Sequence, residues 1–180
     1  MGKDVRVANT ESELSNFLRE VLDSSQFELE KIRLVEQRQW SLAGGNLAHV
    51  SGGFFSVTGV RGRDGTSERL ALYQPQNGIT GLAICSISEN VYVLLQLKIE
   101  PGNSGVAQYG PTIQCTPANY RKSHGGKSTP CVELFTEYRR GANLIANTVQ
   151  LDLGERYFQK TKTHSYVQVP ELLPTDENMI

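Results

Sequence analysis

The chain is short of the residues that most often announce a function. Its three cysteines, Cys85, Cys115 and Cys131, are an odd number with no CxxC spacing. That argues against a disulfide framework or a zinc knuckle and suits a reducing, cytoplasmic setting. Its three histidines, His49, His124 and His164, stand too far apart to share a helical face, and none has a cysteine or carboxylate at ligand spacing, so no metal is expected. No stretch approaches the roughly 18–20 apolar residues of a membrane span. The opening MGKDVRVANTESEL lacks the apolar core of a signal peptide, and Arg6 stands where myristoylation of Gly2 would want Ser or Thr. Charge is nearly balanced, with a net of −1, so there is no electrostatic footprint for nucleic acid or an anionic membrane. Basic residues cluster only locally, at 121–127 and 156–162, a scale that suits a small anion such as a diphosphate or a solvated face.

What is present fits one soluble globular domain: 180 residues, 38% hydrophobic and 21% charged. Residues 10–22 space Leu14, Phe17, Leu18, Val21 and Leu22 as the apolar face of a helix, with Thr10 and Glu13 set for a capping box. Residues 27–35 change phase midway and stay ambiguous, and the glycine-rich 43–53 reads as a loop. Strands are expected at 54–60 and 68–73 as a hairpin, and at 79–87 and 91–99 around a short turn. Weaker strands follow at 112–115, 144–151 and 165–169, with a helical turn at 155–160. The run 91–99 is apolar enough for a central strand. The class is α+β with a mainly antiparallel sheet. The domain spans 1–169, and 170–180 is expected to be a flexible tail.

The segment from 94 to 126, LLQLKIEPGNSGVAQYGPTIQCTPANYRKSHGG, carries the most functional information. An apolar strand ends at Glu100, a Pro-Gly turn follows, and then a long polar connection, a pattern more typical of a binding loop than of filler. Glu100 is either a solvated strand-end carboxylate or a side chain delivered to a site. His49 and His124 sit in glycine-rich loops where backbone can approach a ligand, and a near-neutral imidazole suits proton abstraction beside a carbonyl. Tyr120 can stack or donate, and Arg121 and Lys122 can pair with a diphosphate. Trp40 is either a half-exposed platform for a ring or a packing residue. GGKST at 125–129 is not a phosphate-cradling loop, because Arg121 stands where its first glycine belongs.

Six ordered blocks between Trp40 and Lys160 resemble the NDP-hexose 2,3-dehydratases of deoxysugar biosynthesis. They are Trp40 with His49 and GGFFSVTGVR; Gln74-Pro75 leading to GITGL; LLQLKIEPGN; GPTIQCTPANY; HGG at 124–126; and Gln150 with Gly154, Arg156, Phe158 and Lys160. The resemblance implies a Nudix-like α+β module without a cofactor or metal, about one module of a family built from two in tandem, and hence a homodimer. It implies a lyase that dehydrates a dTDP-4-keto-6-deoxyhexose by removing the C3 proton and expelling the C2 hydroxyl. His49, Glu100, Tyr120 and His124 are then the catalytic candidates. Trp40, Gln74, Gln96, Lys98, Asn103 and Gln114 are expected to bind substrate, as are Asn119, Arg121, Lys122, Gln150, Arg156 and Lys160. Gln76 stands where the family tends to carry a carboxylate, and 160–164 (KTKTH) where it tends to be more basic. These departures leave a non-catalytic or repurposed binding module of the same fold as the alternative. A Nudix pyrophosphohydrolase is not expected, because its metal-binding carboxylate helix is absent.

Overall fold

A computed structural model describes residues 4–121 and 128–180. The first helix, α1 (Glu11–Ser24), forms where its spacing predicts. The Glu13 amide donates to Thr10 Oγ1 at 3.2 Å and the Thr10 amide to Glu13 Oε2 at 3.0 Å, so two of the helix's orphan donors are satisfied reciprocally. Phe17 and Val21 are buried, each worth roughly 1.5–3 kcal/mol of apolar transfer. Residues 27–35 form neither strand nor α-helix, apart from the start of a 3-10 turn at Leu34–Glu36.

Residues 43–53, read as a loop, in fact hold a hairpin turn. β1 (Trp40–Ala43) and β2 (Asn46–His49) pair antiparallel around Gly44-Gly45. Both glycines have positive φ, 57° and 80°, as the tight hairpin turns that match strand twist require. β3 (Ser56–Arg61) and β4 (Glu68–Tyr73) continue the meander as the expected hairpin.

The second sheet is built on β5 (Gly78–Ile87). Along one side it pairs parallel with β11 (Thr161–Val169), whose outer neighbour is β10 (Asn143–Leu151). Its other side is shared: β9 (Ile113–Cys115) pairs with 79–81 and β6 (Asn90–Leu94) with 83–87. At the junction the buried Thr112 hydroxyl accepts from the Ala83 amide at 2.9 Å and donates to Leu94 O. The apolar run 91–99 is therefore not one central strand. It breaks at Leu95 and continues as β7 (Gln96–Ile99), which leaves for a separate two-stranded sheet with β8 (Ala107–Gly110). Two short helices, α2 (Pro117–Tyr120) and α3 (Val132–Thr136), lie between β9 and β10. The expected α+β class, mainly antiparallel, is what forms.

Two cores result. One joins Ala83, Ile113, Leu134, Phe135 and Val167 around β5. The other joins Phe17, Val21, Leu97 and Ile180 beneath α1. Residues 170–180, expected to be a flexible tail, pack down: Leu173, Met179 and Ile180 are buried. The Leu97 amide donates to Asn178 O at 2.7 Å, and Leu95 and Ile180 exchange backbone bonds of 2.8 and 3.1 Å. The apolar pair Met179-Ile180 is the signal in that polar stretch. No helix among the described residues is long and apolar enough to cross a membrane.

Candidate functional site

Where β7 departs from the second sheet, it opens a cleft of about 490 Å³ against β9 and α2. The size lies within the range of ordinary ligand pockets. Gln96, Lys98 and Glu100 come from β7 and its end, Gln114 from β9, Asn119 from α2 and Asn178 from the C-terminal segment. Phe54 closes one rim and Ser128–Pro130 another. Five of these were expected from sequence as site residues. Phe54, Ser128, Thr129 and Asn178 were not, although Phe54 lies in the GGFFSVTGVR block and Ser128 and Thr129 in GGKST.

Lys98 is the cleft's cation. Its ammonium donates to Gln114 O at 3.2 Å and lies 3.5 Å from Glu100 Oε1. Glu100 is about half exposed, at 53%, and so can meet a ligand proton. Its position is set by Asn103, whose amide nitrogen donates to Lys98 O at 2.8 Å and Val106 O at 3.2 Å. Asn103, expected to bind substrate, instead staples the turn that carries Glu100. Cys115 also faces the cleft. Burial pushes its thiol up, with Lys98 and a bond to Thr129 opposing, which disfavours the reactive thiolate.

The other expected residues that the structure describes line no part of this cleft. His49 lies behind Phe54, its ring 4.6 Å away and nearly perpendicular. Its Nδ1 pairs with Ser51 Oγ at 2.7 Å and its Nε2 with Gln39 Oε1 at 3.4 Å. Trp40 completes this aromatic cluster, 5.6 Å from His49 and 5.0 Å from Phe55. Tyr120 packs against the main core with the Arg121 guanidinium 5.9 Å over its ring. Lys122 and His124 lie outside the described residues.

Lys160 and Gln74 meet each other. Lys160 is 3% exposed, and its ammonium donates to Gln74 Oε1 at 2.6 Å, Gln74 O at 3.4 Å and Gln76 O at 3.2 Å. It also sits 5.2 Å over the Tyr157 ring. Burial pushes its amine down, against the pull of Asp152. The cluster ties the 74–76 linker to the turn before β11, a structural clamp whose residues are not part of the cleft lining. Gln150 is exposed on the edge strand β10, and Arg156 is exposed in the turn that follows β10, where its carbonyl accepts from the Leu72 amide at 2.7 Å. Gln76 and 160–164, where the sequence departs from the family pattern, thus line no part of the cleft.

A dTDP-4-dehydro-6-deoxy-α-D-glucopyranose 2,3-dehydratase of Amycolatopsis orientalis is 30% identical over 170 residues, covering 88% of this chain and 36% of its own. The enzyme of the same name from Saccharopolyspora spinosa is 29% identical over 170 residues, covering 91% and 35%. One from Streptomyces violaceoruber is 30% identical over 141 residues, covering 76% and 32%. The chain spans about a third of the length of these relatives. The family model of NDP-hexose 2,3-dehydratase matches residues 11–179, a span that takes in the β5 core, the α1 core except Ile180, and every described residue of the cleft, and the chain belongs to that family.

Proposed function

We propose that the β7–β9 cleft binds a dTDP-4-keto-6-deoxyhexose and eliminates water across C2 and C3. The observation that carries this is the placement of Glu100, a half-exposed carboxylate held at the cleft by the Asn103 staple with Lys98 3.5 Å away. Glu100 takes the C3 proton, which the C4 ketone acidifies. The electron pair moves into the carbonyl as an enolate, and Lys98 stabilises the developing negative charge. Collapse of the enolate forms the C2–C3 double bond and expels the C2 hydroxyl, which leaves as water with one proton. The resulting C3 enol relaxes to a 3,4-diketo sugar, so atoms balance without an oxidant. Gln96, Gln114 and Asn119 can each donate to and accept from sugar hydroxyls, and Arg121, two residues beyond Asn119 in the chain, is the cation this reading assigns to the diphosphate.

The reading includes a homodimer working in the reducing cytoplasm, consistent with three free thiols. Among the described residues β10 is an unpaired sheet edge with Ile145, Val149 and Leu151 exposed, and two antiparallel copies would cover it. Sedimentation at twice the 19.9 kDa chain mass is the expected result, and a monomer at tens of micromolar would remove this part. The activity itself is tested by incubating the chain with dTDP-4-dehydro-6-deoxyglucose and following the sugar protons by NMR.

A further inference from the structure

The C-terminal segment brings to the cleft a side chain that the fold does not use. Asn178 is committed through its main chain, its carbonyl accepting from the Leu97 amide at 2.7 Å. Met179 beside it is 1% exposed and anchors the segment. The Asn178 side-chain amide makes no hydrogen bond among the described residues, and the residue lines the cleft with Gln96 and Lys98. Backbone holds the residue in place, and the side chain is left for a ligand.

The chemistry of the lining indicates which part of a ligand it meets. Among the described lining residues the only charges are Lys98 and Glu100, which offset one another. This stretch therefore offers a diphosphate no net attraction. A carboxamide both donates and accepts, which matches a sugar hydroxyl and is half wasted on a phosphate oxygen, which only accepts. We propose that Asn178 contacts the hexose directly and is a specificity-determining residue, an inference that rests on reading the cleft as a sugar-nucleotide site.

The test is calorimetric titration of the wild-type chain, Asn178→Ala and Asn178→Asp with two probes, dTDP and dTDP-glucose. Wild type is expected to bind dTDP-glucose more tightly than dTDP. Asn178→Ala should weaken dTDP-glucose by roughly tenfold, the scale of a lost hydrogen bond, and leave dTDP within about twofold. Asn178→Asp, which keeps the shape and loses the donor, should give the same ordering, with both variants melting within a few degrees of wild type. Equal affinity of wild type for the two probes would overturn the inference, as would an unchanged dTDP-glucose affinity or an equal loss on both probes in the variants. Failure of wild type to bind either probe would instead sink the parent reading of the cleft.

Discussion

Replacing Glu100 with Gln is expected to cut turnover of dTDP-4-dehydro-6-deoxyglucose by roughly 10²–10⁴-fold, the usual contribution of a general base, while dTDP binding stays within about threefold of wild type. An amide cannot accept the C3 proton, yet it fills the same space at the end of β7. Little stability is at stake. The carboxylate is half exposed and its ion pair to Lys98 is 3.5 Å long, a geometry whose net contribution in water is small. The measurement is steady-state kinetics beside calorimetric binding. A kcat within threefold of wild type would return the base role to His49 or to a residue outside those described. A parallel loss of dTDP affinity would make Glu100 a binding residue instead.

The largest effect on stability is expected at Gly81. It lies in β5 between β9 and β11, and a Cβ built there would come within 2.2 Å of Phe135 Cε1 and 2.6 Å of Cδ1. Phe135 is itself buried in the main core with Ile113, Leu134 and Val167, so its ring has nowhere to retreat. Overpacking of this kind costs about 1–3 kcal/mol, and here the upper part of that range is expected. For a chain of this size the corresponding fall in Tm for Gly81→Ala is roughly 5–10 °C. Gly59→Ala serves as the control, because nothing lies within 4 Å of the added carbon; it should melt within about 2 °C of wild type. Equal melting of all three proteins would mean that α3 does not sit on β5 as described. α3 follows directly after Ser128–Pro130 at the cleft rim, so Gly81→Ala should weaken dTDP binding as well.

Local signals in the sequence were read correctly where local physics decides the outcome. The capping box at Thr10 and Glu13 needs only residues three apart, and it forms. The hairpin at Asp64-Gly65 is of the same kind, with Gly65 at φ 73° and Asp64 accepting from the Thr66 amide at 3.1 Å. The Gly44-Gly45 hairpin is equally local, but the four glycines within 43–53 give that stretch the composition of an irregular loop. The split of 91–99 was not legible. Its apolar content fits a buried strand, but only tertiary context shows that β5 has room for β6 opposite 83–87 and must give 79–81 to β9.

The site divides in the same way. Gln96, Lys98, Glu100, Gln114 and Asn119 belong to two neighbouring motifs, and β7 and β9 bring them together. Asn103, Gln74 and Lys160 look like ligand-binding polar residues in one dimension. In three dimensions each spends its hydrogen bonds inside the protein, on the β7–β8 turn or on the Lys160 clamp. Asn178 was hidden by a polar tail whose last two side chains, Met179 and Ile180, turn out to be buried.

The most direct measurement of the central claim is proton NMR of the wild-type chain incubated with dTDP-4-dehydro-6-deoxyglucose in D₂O. The account predicts loss of the C3 proton signal, disappearance of the C2 carbinol proton and growth of a C2 methylene carrying solvent deuterium. A substrate whose C2 and C3 protons persist unchanged, with saturating protein present, would contradict it.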